Sequence, residues 1–352
     1  MDDSEFSPAL QLLKNGEVVG FPTETVYGLG GLITQLEAIH KIFEAKNRPA
    51  DNPLIVHISE FEMLQDLVLE ISPQVKKLCQ KFWPGPLTVL FEKSNVVPDL
   101  VTADLPTVAV RLPAHRVARR LISLAGAPVA APSANLSGRP SPTTAEHVYH
   151  DLKGKIPLII DSGKCELGVE STVIDVNKTP PLLLRPGGLN YEELKRMIPG
   201  LELLDSRSRE NSESEKLIES PSTPGLKYKH YSPGAYVILI KNPTEKSNRD
   251  LEKTWKKYNQ KEKKIGWIHT RAKVCLPDKI KQAPRTSVID LADAPEIDDR
   301  ENNLELVARE LFSSLRSLDG EGAEVIIVEG TGYKKEGLAV MNRLEKAASE
   351  II

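Results

Sequence analysis

Little in this sequence points to metal, disulfide or membrane chemistry. Its 352 residues hold three cysteines, Cys79, Cys165 and Cys275, far apart and without a C-x-x-C pair. Neither a zinc knuckle nor a disulfide framework is implied, and a reducing compartment is expected. No apolar run approaches the roughly 20 residues that a membrane-spanning helix requires. The N-terminus, with Asp2, Asp3 and Glu5, is unlike a secretory or organellar leader. A surplus of positive charge is missing too: the net charge is −3 and the pI is near 6.2. That excludes a bulk electrostatic hold on nucleic acid and leaves room only for a local basic patch. Nucleophile elbow, metal-ligand helix and dinucleotide fingerprint are all lacking. What remains is a soluble chain expected in the cytoplasm. Its length exceeds the roughly 250–300 residues at which single cores stop growing, so two domains are expected.

What is present begins with the stretch Ala45–Ile58. Lys46 and Arg48 close a predicted helix, Pro49 and Pro53 stiffen the chain after it, and the strand-like run Leu54–Ile58 carries His57. Two cations two residues apart on stiffened backbone form a claw for an anion. Upstream, a strand over Val18–Phe21 runs into Pro22-Thr23-Glu24-Thr25-Val26-Tyr27-Gly28-Leu29-Gly30-Gly31. Hydroxyls, a carboxylate and glycines at a strand end suit a small polar ligand that backbone approaches closely, and they equally suit an ordinary turn. Thr34 with Glu37 reads as a capping box for a helix whose apolar stripe is Leu36, Ile39, Ile42 and Phe43.

Ser72-Pro73 starts a further helix to about Phe82, and Thr88–Phe91 and Thr107–Arg111 read as strands, the second ending in an arginine. Arg116, Arg119 and Arg120 are the solvated face of a helix over His115–Ala125. The strand Val129–Ala131 leads into Pro132–Thr144, a loop dense in hydroxyls that ends in a cap, Thr144-x-x-His147. A linker seldom sits between a buried strand and a capped helix, so a functional loop is favoured. Further strands fall at Leu158–Asp161, Thr172–Asp175 and Leu182–Arg185, with a helix over Tyr191–Ile198. Asp205–Pro224 has the polar composition of a linker. Beyond it, strands Tyr236–Ile240, Ile265–His269, Val288–Leu291 and Val325–Val328 alternate with helices Arg249–Tyr258, Asn302–Ser317 and Leu338–Ile351. That alternation predicts a second, parallel-sheet α/β domain. Glu329-Gly330-Thr331-Gly332 lacks the Lys-Ser/Thr of a phosphate loop and reads as a turn.

Taken together, the motifs carry a resemblance. F-P-T-E-T-V-Y-G-L-G, K-x-R-P-x-x-N-P-L-I-V-H, W-P-G-P-L-T, V-x-V-R-x-P, A-P-S-A-N-x-S-G-x-x-S-P and E-S-T-V-I-D…R-P-G occur in that order. The set resembles the YrdC-type threonylcarbamoyl-AMP synthases. S-T-P-G-x-x-x-x-H-Y-x-P (Ser222–Pro233) and the closing run Gly337–Ala348 resemble the long, two-domain form. The resemblance implies an N-terminal YrdC-like twisted open mixed α/β sheet over 1–204, a linker or lid over 205–234, and a smaller Rossmann-like parallel-sheet domain over 235–352.

It also implies a reaction. L-threonine, bicarbonate and ATP give threonylcarbamoyl-AMP and pyrophosphate, the first step toward threonylcarbamoyl-adenosine beside the tRNA anticodon. By the family pattern Lys46, Arg48, Asn52, Ser133, Ser141 and Arg185 fall on the nucleotide, with Thr107 close to it and Tyr231 reaching back over it. Thr23, Thr25, His57, Arg111, Ala131 (through backbone) and Ser171 match the threonine pocket, and Lys46 and Arg48 carry the catalytic charge. Mg²⁺ is expected with ATP, and neither a protein-bound metal nor a tightly held cofactor. A downstream threonylcarbamoyl transferase complex is the implied partner. The tRNA is met indirectly, weak direct RNA binding stays open, and no membrane is involved. Two rival readings are carbamoyl transfer through a carbamoyl-adenylate and a non-enzymatic RNA-binding module.

Overall fold

The computed structural model describes residues 2–204, 230–241, 247–270, 277–292 and 302–352. The chain divides into two compact units. One takes in 1–137, 141–166 and 170–228, and the other 138–140, 167–169 and 229–352. Most of the expected linker or lid, 205–229, lies outside the described residues.

The first unit is built on one mixed sheet of ten strands. They are β1 (Val19–Phe21), β2 (Gly28–Leu32), β3 (Ile55–His57), β4 (Leu87–Glu92), β5 (Thr107–Arg111), β6 (Val129–Ala130), β7 (Leu158–Ile159), β8 (Thr172–Asp175), β9 (Leu182–Arg185) and β10 (Glu202–Leu203). Their order is β10-β9-β8-β4-β5-β3-β6-β2-β1-β7. β3 and β5 run parallel, as do β4 and β8, while β4–β5, β3–β6 and β8–β9 are antiparallel. The expected mixed open sheet is what forms.

Its longer helices up to Leu152 are α1 (Ser7–Lys14), α2 (Leu36–Lys46), α3 (Pro73–Phe82), α4 (Arg116–Ala125) and α5 (Ala145–Leu152). α3 and α5 start where the sequence indicated. Ser72 Oγ accepts from the Val75 amide and Thr144 Oγ1 from the His147 amide, satisfying N–H groups that have no partner inside the helix. α2 departs from expectation. Gln35 is its N-cap with no side-chain cap bond, so the Thr34 box does not form, and Leu36 is 51% exposed. The buried stripe is Ala38, Ile39, Ile42, Phe43, Ala45 and Lys46. Asn47 in the left-handed region (φ 50°) ends the helix.

Strand alternation decides which side chains leave the core. In β5, Val108 and Val110 join the large cluster with Ile39, Ile42, Phe43 and Leu78, whereas Ala109 packs in a separate one with Ile55, Leu90 and Val173. Period-2 geometry puts Arg111 on the Ala109 side.

The glycine run, left open between a ligand loop and an ordinary turn, ends in a strand. Gly28–Leu32 is the buried strand β2. A Cβ on Gly30 would stand 2.6 Å from Phe21 Cε1 and 2.7 Å from Val129 Cγ1, and one on Gly31 2.8 Å from the Ala38 Cβ. These glycines make room for a phenylalanine, a valine and α2. No ligand is needed to explain them.

The second unit holds the expected parallel sheet: β11 (Tyr236–Ile240), β12 (Ile265–His269), β13 (Thr286–Asp290), β14 (Val325–Glu329) and β15 (Glu350–Ile351), in the order β13-β12-β14-β11-β15. All its pairings are parallel. The last helix spans Glu336–Ala347 and gives way to β15, so it is shorter than the expected Leu338–Ile351. At the carboxyl ends of β12 and β14, buried Glu329 accepts from Trp267 Nε1 at 3.2 Å and meets His269 Nδ1 at 3.0 Å. Among the described residues no helix is long and apolar enough to cross a membrane.

Candidate active site

Sheet order brings together side chains that are far apart in sequence. Register partners run in a row across six strands: Arg185 on β9, Val173 on β8, Thr88 on β4, Arg111 on β5, His57 on β3 and Val129 on β6. Register partners project from the same face of a sheet, so two arginines, a threonine and a histidine share one surface. Arg111, His57, Thr88 and Arg185 are each at most 4% exposed.

The Thr23–Thr25 loop closes over this row. Arg111 donates from Nη1 to Thr25 Oγ1 at 2.9 Å and from Nε to Gly85 O at 3.3 Å. Its Nη2 stands 2.7 Å from Glu24 Oε1. Thr23 Oγ1 bonds Thr25 Oγ1 at 2.8 Å and donates to Val26 O at 2.6 Å, so the loop is tied to itself and then to the arginine. Burial pushes the Glu24 carboxyl up, but the charge and hydrogen bond of Arg111 outweigh it and hold the group below the usual carboxylate value. Burial, with the positive charge of Arg111, lowers His57 to about 3. His57 is therefore neutral at any ordinary pH. Its ring meets Phe21 edge-on with centroids 6.2 Å apart, and Nδ1 is 3.2 Å from Ile55 O.

On the other side of Arg111, Thr88 Oγ1 and Ser171 Oγ share a hydrogen bond of 2.7 Å. Arg185 donates to Ser171 through Nη2 to Oγ at 3.1 Å and through Nε and Nη2 to the carbonyl at 3.1 and 3.0 Å. Ser141 donates to Glu170 Oε1 at 2.5 Å. Gly187 sits so close to the Glu170–Thr172 backbone that a Cβ there would be 2.3 Å from Glu170 O.

Lys46 and Arg48, the two cations of the expected claw, both donate to backbone carbonyls. Lys46, 2% exposed, donates from Nζ to Ser133 O at 2.5 Å and to Asn135 O, and its own carbonyl accepts from the Ser137 amide at 2.9 Å. It thereby shapes the Pro132–Ser137 loop. Ser133 Oγ in turn donates to Asn135 Oδ1 at 2.5 Å. Arg48 donates to Asn52 O at 3.1 Å and Pro53 O at 2.9 Å, curling its guanidinium onto the turn that follows it. Asn52 Oδ1 is buried and meets no donor. The Ala131 amide donates to Ile55 O at 2.9 Å, which holds the loop against β3.

Two expected residues are not members of this row. Thr107 opens β5 opposite Glu92, about 13 Å of strand away from Arg111. Tyr231 belongs to the second unit, where its 4%-exposed ring stacks on Phe312 with centroids 5.2 Å apart and lies 5.7 Å from the Arg343 guanidinium carbon. Sequence reasoning passed over Thr88 and Glu170 as partners, although both lie inside quoted motifs, W-P-G-P-L-T and E-S-T-V-I-D. For Thr88 the available signal was a polar residue inside an otherwise apolar strand.

Comparison with known proteins gives the family. The family model described as telomere recombination matches residues 11–187, and that of the threonylcarbamoyl-AMP synthase C-terminal domain matches 189–349. The threonylcarbamoyl-AMP synthase of Pyrococcus abyssi is 45% identical over 340 residues, covering 97% of this chain and 93% of its own length. This chain belongs to the threonylcarbamoyl-AMP synthase family. The Bacillus subtilis member is 41% identical over 350 residues, covering 99% of this chain and 94% of its own length. The crystal structure of P. abyssi Sua5 complexed with L-threonine matches with a TM-score of 0.88 at 44% identity, over 100% of this chain and 96% of that one. The family name is that of an enzyme that makes an AMP adduct, a nucleotidyltransferase.

Proposed function

We propose that the chain makes threonylcarbamoyl-AMP and pyrophosphate from L-threonine, bicarbonate and ATP. The observation that carries this reading is the buried row Arg185–Thr88–Arg111–His57, capped by the Thr23–Thr25 loop, in a member of this family. A guanidinium with fixed hydroxyls around it suits the planar carboxylate of an amino acid. Arg111, Thr25, Thr23, Ser171 and the Ala131 backbone would hold threonine, with neutral His57 offering hydrogen bonds without adding charge.

The nucleotide would lie along Lys46, Arg48, Asn52, Ser133, Ser141 and Arg185, with Thr107 at its edge. By the family pattern Tyr231 would also serve the nucleotide. In the reaction, the threonine amine forms an N–C bond to the bicarbonate carbon, and water leaves. A carbamate oxygen then attacks the α-phosphorus, and pyrophosphate departs. The nucleophile is already anionic, so the protein's task is to offset charge repulsion and to align the attack. A hydrogen bond to a charged group is worth about 1.5–3 kcal/mol, so Lys46, Arg48, Arg111 and Arg185 can supply a large share.

No cluster of three or more His, Cys, Asp or Glu suited to a metal occurs among the described residues. The cationic, amide and hydroxyl donors of the site fit phosphate oxygens, so Mg²⁺ would arrive bound to ATP, neutralising phosphate charge there. The product is an activated acyl-adenylate. It calls for an acceptor enzyme, and we assign that role to a threonylcarbamoyl transferase complex acting on the adenosine beside the tRNA anticodon. Incubating the protein with Mg-ATP, bicarbonate, L-threonine and pyrophosphatase should release phosphate only when threonine is present. Release that ignores threonine, or that needs carbamoyl phosphate, would overturn the reading.

A further inference from the structure

The function just described gives Glu24 nothing to do. It sits between Thr23 and Thr25, is 3% exposed, and its Oε1 is 2.7 Å from Arg111 Nη2. A carboxylate pressed against the arginine that is to receive another carboxylate weakens that arginine's hold on a simple anion. Burying such a pair is costly as well. Its presence calls for a reason tied to the ligand.

The reason lies in the charge of the pocket. Arg111 contributes one positive charge and Glu24 one negative. His57, the register neighbour of Arg111, stays neutral. His115, half-buried within the field of Glu24, is likewise pushed toward its neutral form by burial. The guanidinium is held on three sides by Thr25 Oγ1, Gly85 O and Glu24, so it cannot turn away from its partner. A bare carboxylate entering this place would leave a buried excess of negative charge, and a bare amine an excess of positive charge. An α-amino-acid zwitterion adds none, and its two charges complement the two already fixed.

We propose that Glu24 is a specificity-determining positioning residue that, paired to Arg111, makes the pocket accept an amino-acid zwitterion and refuse the same skeleton lacking the amine. This rests on threonine being the substrate of the site. Glu24 works through Arg111 and through the balance of charge, and takes no part in bond making. The ammonium-bearing form is selected on binding, before the amine reacts.

The test compares L-threonine with (R)-3-hydroxybutyrate, the same skeleton without the amine, by calorimetric titration of the full chain. The wild type should prefer threonine by about a hundredfold or more, since a site built for a polar group strongly rejects the analogue lacking it. In Glu24→Gln the preference should fall at least about tenfold, with 3-hydroxybutyrate binding more tightly than to the wild type, because Arg111 is left with unbalanced charge. Glu24→Asp, which keeps the charge, should retain most of the preference. A non-hydrolysable ATP analogue, held by other residues, reports whether each variant's site is folded. An unchanged preference in Glu24→Gln overturns the proposal. So does a wild type that binds both ligands equally, a result that needs no variant to fold. Failure of the wild type to bind threonine at all would instead count against the functional reading.

Discussion

His57 gives the sharpest quantitative test. Its folded-state pKa is about 3, against an ordinary value of 6.5, because burial and the Arg111 charge both oppose protonation. The unfolded chain therefore takes up this proton first. The stability that rests on a neutral His57 is fully present above about pH 6.5 and is lost as pH falls toward 3. Between pH 7 and 5, linkage assigns a loss of about 2 kcal/mol to this one residue. His57→Gln keeps a neutral polar side chain and removes the titration. The two proteins would be compared at both pH values by amide hydrogen exchange of β3, β5 and β6, which reports on the first unit alone. The wild type should lose about 2 kcal/mol more than the variant on acidification, since titrations common to both cancel. Equal losses would refute the burial argument. They would mean either that His57 reaches solvent in the native state or that Arg111 does not stand beside it.

Other consequences follow from the same contacts. Lys46→Met keeps the buried volume but strips the Ser133 and Asn135 carbonyls of their donor. Pyrophosphate release should drop at least about a hundredfold, and limited proteolysis should cut within 132–137. Arg111→Lys leaves Glu24 with a counter-charge but cannot remake the bonds to both Thr25 and Gly85. The KM for threonine should rise about tenfold or more, with the KM for ATP changed far less. Gly30→Ala drives a methyl into Phe21 and Val129 and should cost about 1–3 kcal/mol in urea unfolding. An additional Phe21→Leu should recover part of it.

Several local features needed no structure. Ser72 and Thr144 cap their helices as their spacing indicated, since a cap is a bond between residues three apart. The parallel β11–β15 sheet was legible from strand–helix alternation. The failures have physical causes. The Thr34 box lost out because a capping box needs its side chain at the N-cap, and that position fell to Gln35. The glycines of β2 stayed open between a ligand loop and an ordinary turn, because nothing local announces that Phe21, Val129 and Ala38 will press on them.

By itself, the sequence determined the parallel α/β class of the second unit, the order of the motifs and the inventory of cations and hydroxyls. Each of these depends on residue type and on spacing over a few positions. Only the tertiary structure decided which of those groups meet. The sheet order β9-β8-β4-β5-β3-β6 is not the chain order, and it alone sets Arg185, Thr88, Arg111 and His57 in one row. Long-range strand pairing fixes that register, and burial then makes the charges matter. It silences His57, locks Arg111 to Glu24 and sets Lys46 against the carbonyls of Ser133 and Asn135.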